Sequence, residues 1–172
     1  MKTSVAATAQ SRLSAAALFD LLADPRGCVT WHDHPPKDRP QSTDAPPGLA
    51  LAGAEYWSRG LCGTIAWRAR TSVTAAERSR HYATETEIIY EHPGVPRARS
   101  SERFILEPNG VGCFVRYDTE VSQDTAVYGW LARIYVAVVA NRLVVARSLR
   151  KNFHHVLRAA EAEAARSAST GT

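Results

Sequence analysis

Apolar and polar positions alternate with a period of two over much of the middle of the chain. Ile65, Trp67, Ala69, Thr71 and Val73 alternate with Ala66, Arg68, Arg70 and Ser72, and Tyr82, Thr84, Thr86, Ile88 and Tyr90 alternate with His81, Ala83, Glu85 and Glu87. That period predicts strands with one apolar or aromatic face and one charged face. Cys113, Val115, Tyr117, Thr119 and Val121 repeat it against Arg116, Asp118 and Glu120, after the turn-forming run Pro108-Asn109-Gly110. From Ala52 to Ser122 the pattern is that of an antiparallel meander with a solvent face. Residues 100–107 are strand-like with two open phases, Glu102/Phe104/Leu106 inward or Arg103/Ile105 inward, and the first is favoured.

The pattern differs at both ends. Residues 4–10 alternate weakly, with Val5, Ala7 and Ala9 on one side, as a first strand would. Ser14 reads as a helix cap before Ala15 to Leu22, and Asp24-Pro25 as the stop. Residues 26–33 have the length of a second short helix, and 34–48 holds five prolines in fifteen residues, which predicts an irregular surface loop with no ladder. Between Trp130 and Thr170 there is neither Gly nor Pro, and Leu131, Ile134, Val138, Val145, Leu149, Phe153, Val156 and Ala160 recur at helical spacing. A helix of about 35 residues, roughly 50 Å long, follows. Arg133, Arg147, Arg150, Lys151 and Arg158 fall mostly on its far side, so its apolar stripe must pack on the inner face of the sheet.

Composition narrows the class. The 172 residues, 45% hydrophobic and 22% charged, suit one globular domain, expected over 1–166 with a disordered tail at 167–172. A net charge of +4 is too mild, and too dispersed, for a nucleic-acid binder. The longest apolar run, Ile134 to Ala140, is far short of the ~18 residues of a membrane span, so no membrane partner is expected. Cys28, Cys62 and Cys113 are scattered without a CxxC pair and read as reduced core thiols. With no signal-peptide pattern at the start, a cytoplasmic location is expected. There is no P-loop, GxGxxG or nucleophile motif.

The order of strand, two short helices, antiparallel sheet and long terminal helix is the plan of the helix-grip fold, an α+β architecture. The sequence resembles the START-like superfamily, in particular its bacterial polyketide cyclase/dehydrase-like members. The likeness rests on Leu21-Leu22-Ala23-Asp24-Pro25 with Trp31 six residues on, Gly53-Ala54-Glu55-Tyr56, and Phe104-Ile105-Leu106-Glu107-Pro108-Asn109-Gly110. The resemblance implies a curved sheet wrapped around the long helix, with a cavity between them for an apolar or aromatic small molecule. It implies a polyketide-type cyclase, aromatase or dehydratase of secondary metabolism without cofactor, or alternatively a non-catalytic carrier or sensor, as a monomer or homodimer. Aromatase/cyclases of the family tend to carry an inward Arg on a central strand; here Arg68 and Arg70 take the outward phase.

Ring closure needs a cavity, a donor for the developing oxyanion and a group that moves a proton. Tyr82 and an inward Glu102 are the candidate catalytic pair, because a carboxyl in the phase of Phe104 and Leu106 would be desolvated and its pKa raised. Trp31, Tyr56, Trp67, Thr84, Tyr90, Phe104, Tyr117 and Asn141 are the candidate ligand-binding residues. The alternative for each tyrosine is a core ring bonded to a backbone carbonyl, and for Glu102 an outward carboxylate paired with an Arg. His32-Asp33-His34 lacks a completing ligand set, so no metal site is expected. His154 and His155 read as surface residues among cations.

Overall fold

The computed structural model describes residues 2–30, 38–123 and 146–170. Its seven strands are β1 (Lys2–Ser11), β2 (Asp38–Thr43), β3 (Glu55–Cys62), β4 (Ile65–Glu77), β5 (His81–Tyr90), β6 (Ala98–Pro108) and β7 (Cys113–Gln123). Helices α1 (Ala15–Leu22) and α2 (Pro25–Thr30) follow β1, and α3 (Ala146–Thr170) closes the chain. The strands form one curved antiparallel sheet in the order β1-β7-β6-β5-β4-β3-β2. This is the helix-grip fold.

Local chemistry explains the element ends. The Ser14 hydroxyl accepts from the Ala17 N–H at 3.2 Å, capping α1. Asp24 then serves α2: its Oδ1 accepts from the N–H groups of Arg26 (3.1 Å) and Gly27 (3.0 Å), with Pro25 at the first helical position. In the β6–β7 turn Asn109 Oδ1 takes the N–H of Val111 and of Gly112, while Gly110 sits at φ +83°, where glycine avoids a Cβ clash.

The strand phases follow the alternation. Ala69, Thr71 and Val73 are buried between the exposed Arg68 and Arg70, and Cys113, Val115, Tyr117 and Thr119 are buried along β7. On β6 the inward set is Glu102, Phe104 and Leu106, while Arg103 is exposed. Under this face lie Leu18 and Phe19 of α1 and Phe153, Leu157 and Ala160 of α3, which complete the core. A second tie is polar. Glu161 Oε1 accepts from the Ser11 hydroxyl at 2.9 Å and from the Arg12 N–H at 2.8 Å, fastening α3 to the corner between β1 and α1.

Four expectations change. The proline content of 34–48 predicts no ladder, yet β2 pairs with β3 from Asp38↔Cys62 to Thr43↔Ser58. Pro40 is tolerated because β2 is an edge strand, and the register shifts between Pro40 and Ser42. Residues 167–170 of the expected tail are helical, since no breaker precedes Gly171. Cys62 shares the inward phase of Tyr56 and Ser58 but is exposed rather than a core thiol, because it is the last residue of β3, beside the turn to β4; Cys113 is buried and Cys28 half-buried. His155, expected at the surface, is half-buried and lines the cavity described next. Of the expected long helix, α3 is the described part, with Phe153 and Ala160 buried and Arg147, Arg150, Lys151 and Arg158 exposed. Leu131, Ile134, Val138 and Val145 lie outside the described residues.

Candidate functional site

Between the inner face of the sheet and the helices are two adjoining chambers of about 280 Å³ each. They share Leu22, Cys28, Tyr56, Thr71, Thr86 and Glu102 as a common neck. The inner chamber continues to Tyr82, Thr84, Phe104 and Tyr117 on the sheet and to Asn152, Phe153 and His155 on α3. The outer one continues to Trp67, Ile88 and Tyr90, and to Pro25 and Val29 of α2. Of the ten residues the sequence singles out, eight border these chambers; Trp31 and Asn141 lie outside the described residues.

Aromatic packing holds the hydroxyls in place. The Tyr117 ring stacks on Phe153 at 5.0 Å with 2° between planes and tilts against Phe104 at 4.9 Å. Tyr82 meets Phe19 edge to face at 5.7 Å. So oriented, the Tyr117 hydroxyl donates to Glu102 Oε1 at 2.8 Å. The Tyr82 hydroxyl and the Trp67 indole Nε1 are both enclosed without a hydrogen-bond partner, each bordering a chamber. Beside them the hydroxyls of Thr71 and Thr86 bond each other at 3.1 Å.

Burial dominates the electrostatics. Desolvation raises the Glu102 pKa above the ordinary carboxylate value, and the Tyr117 hydrogen bond offsets only part of this. Of its two oxygens, Oε1 is engaged by the Tyr117 hydroxyl. Tyr82 and Tyr117 are pushed up by burial, then by their neighbours, and Tyr56 up to about 12, so all three remain hydrogen-bond donors at neutral pH. Burial, assisted by Asp24, pushes the Cys28 thiol up to about 12, which removes it as a nucleophile. Among the described residues no three His, Cys, Asp or Glu side chains converge as a metal site.

Sequence reasoning missed several wall residues. Cys28 reaches the neck because α2 turns it under α1, where its Sγ donates to the Leu21 carbonyl. Asn152 and His155 follow from helical spacing with Val156 and Ala159, a signal present in the sequence but hidden by their polarity and the neighbouring cations.

The family profile described as "Polyketide cyclase / dehydrase and lipid transport" matches residues 2–164. No curated protein sequence matches the chain. Among solved structures, a conserved protein from Geobacillus kaustophilus superposes with a TM-score of 0.65 at 13% identity, covering 97% of each chain. A protein from Chromobacterium violaceum gives 0.61 at 12% identity over 93% of this chain and 95% of its own. Ara h 8.0201 gives 0.62 at 12% identity over 94% and 97%. At these identities the likeness speaks for the fold alone. No helix of the described residues is long and apolar enough to cross a membrane. With a family match over nearly its whole length and a helix-grip fold, the chain belongs to the polyketide cyclase/dehydrase and lipid transport family of the START-like superfamily.

Proposed function

We propose that the protein is a cofactor-independent cyclase or dehydratase acting on an apolar, carbonyl-rich small molecule of secondary metabolism. The observation that carries this reading is the desolvated Glu102 carboxyl, held by Tyr117 at 2.8 Å in the neck of the cavity. Its ionised form removes a proton from the carbon between two carbonyls, and that carbon attacks a second carbonyl of the same chain. The new alkoxide accepts a hydrogen bond from the Tyr82 hydroxyl, which has no other partner, and then takes the proton back from Glu102. Loss of the hydroxyl together with an adjacent hydrogen, as water, completes a dehydration. The aromatic walls at Trp67, Tyr90 and Phe104 fold and orient the chain.

A second reading, a non-catalytic carrier, is favoured by one observation: Arg68 and Arg70 face outward, so the described cavity has no arginine to hold an enolate. The test is incubation with a linear poly-β-ketone N-acetylcysteamine thioester. Turnover that Glu102→Gln abolishes while binding persists supports the enzyme. Binding without conversion by the wild type would leave the carrier.

A further inference from the structure

The outer face of the sheet is laced by ion pairs: Arg70 with Glu55 at 2.6 Å, Arg99 with Glu87 at 3.5 Å and Arg116 with Asp118 at 3.1 Å. Near the β2 edge this order breaks. Arg59 of β3 stands directly opposite Arg68 of β4, both are exposed, and neither has a carboxylate partner among the described residues. Like charges facing each other across a ladder repel, so this pair weakens the sheet unless an anion lies between them.

The surroundings fit such an anion. Arg59 and Arg68 line a surface depression of about 360 Å³ with Ser42, Thr43, Asp44 and Trp57. The Trp57 indole is 38% exposed, and the Arg68 guanidinium lies 5.8 Å from its ring centroid. Asp44 and Thr43 have structural duties there: Asp44 Oδ1 accepts the Trp57 N–H at 2.6 Å, and the Thr43 hydroxyl donates to the Trp57 carbonyl at 3.0 Å. Both hold the β2 end against β3. Arg59, Arg68 with its guanidinium over Trp57, and the Ser42 hydroxyl are the donors that face a ligand, against the one negative charge of Asp44.

We propose that this depression is a binding site for a phosphate monoester, on the opposite side of the sheet from the cavity and independent of it. Two guanidiniums against the single negative charge of Asp44 leave the depression net positive, and their planar forks take phosphate oxygens in pairs. Ser42 adds a third donor. Trp57 offers an apolar face to the group that the phosphate esterifies, so an aryl ester binds more tightly than inorganic phosphate.

Calorimetric titration of the full chain with phenyl phosphate tests this, with inorganic phosphate and phenol as comparisons. The expected result is saturable binding of phenyl phosphate, weakened about tenfold or more by Arg59→Ala and by Arg68→Ala, as for loss of a charge-assisted hydrogen bond. Arg70→Ala, which removes an arginine already paired with Glu55, leaves it unchanged. Without ligand, Arg59→Ala melts at or above the wild type because the repulsion is relieved, so lost binding is not lost folding. Phenyl phosphate binding to Arg59→Ala as tightly as to the wild type, or phenol binding as well as its phosphate, would overturn the proposal. Given Arg59-dependent binding of the free ester, co-sedimentation with phosphatidate vesicles assigns the monoester to a lipid headgroup, and its absence assigns it to a soluble ester.

Discussion

The Tyr117 hydroxyl reaches Glu102 at 2.8 Å although the two residues are not opposite one another in the ladder: Glu102 pairs with Thr119, and Tyr117 with Phe104. The contact runs diagonally across two strands, a distance that an aromatic side chain spans and a serine or threonine does not. Phe153, stacked on the other side, keeps the ring leaning that way.

That contact sits on a raised pKa, and the sign of its pH effect is fixed. The folded chain holds the Glu102 proton above pH 4.5, where the unfolded chain releases it. The stabilisation is complete below the unfolded pKa and is lost as pH climbs through the folded one. Glu102→Gln, which keeps an acceptor for Tyr117, is expected to melt above the wild type near pH ~8 and level with it near pH ~4. Thermal melts across that range check this; parallel curves would show a carboxyl in contact with water.

The two inner tyrosines are expected to separate under the same substitution. Tyr117→Phe loses a bond and leaves Glu102 unpartnered, costing about 1–3 kcal/mol. Tyr82→Phe removes a hydroxyl that has no partner, so stability holds or rises by up to ~1 kcal/mol while turnover and ligand affinity fall. Urea denaturation of both variants decides the matter.

Phe153→Ala is expected to be the most damaging of these changes. The ring is 2% exposed and packs flat on Tyr117, so truncation opens a void costing about 3–5 kcal/mol and frees Tyr117 to turn from Glu102. Chemical denaturation measures the first effect and the pH profile of Glu102 the second.

Thiol reactivity checks the burial pattern without a ligand. Cys62 is exposed, whereas Cys28 and Cys113 are shielded and their pKa values raised, so a disulfide reagent is expected to find one fast thiol per native chain and three after unfolding. Two fast thiols would mean that the neck at Cys28 is open to solvent.

What the sequence made legible were features of fixed period. The inward set on β4, β5 and β7 follows directly from alternation, whereas on β6 alternation leaves two phases open and Glu102 with Phe104 and Leu106 is only the favoured one. β2 was not legible, because an edge strand has one neighbour, tolerates Pro40 and needs no apolar face of its own. The neck residue Cys28 was hidden for a different reason: its place depends on how α2 folds under α1, a tertiary angle that no local pattern encodes. Neither the orphan donors at Tyr82 and Trp67 nor the opposed Arg59 and Arg68 could be read before registers were known.

The hydrogen bond from Ser11 to Glu161 joins positions 150 apart in the chain. Together with the pairing of β1 to β7, it means that β1 is synthesised well before the partners that secure it. At about 5–20 residues per second, the nascent chain spends several seconds or more with Val5, Ala7 and Ala9 uncovered and the β7 edge unpaired. Closure of β1 onto β7 and α3 is therefore a late, long-range step whose loop-closure entropy must be met before its contacts form, so loss of the turn carrying Glu161 is a lesion of folding as much as of stability.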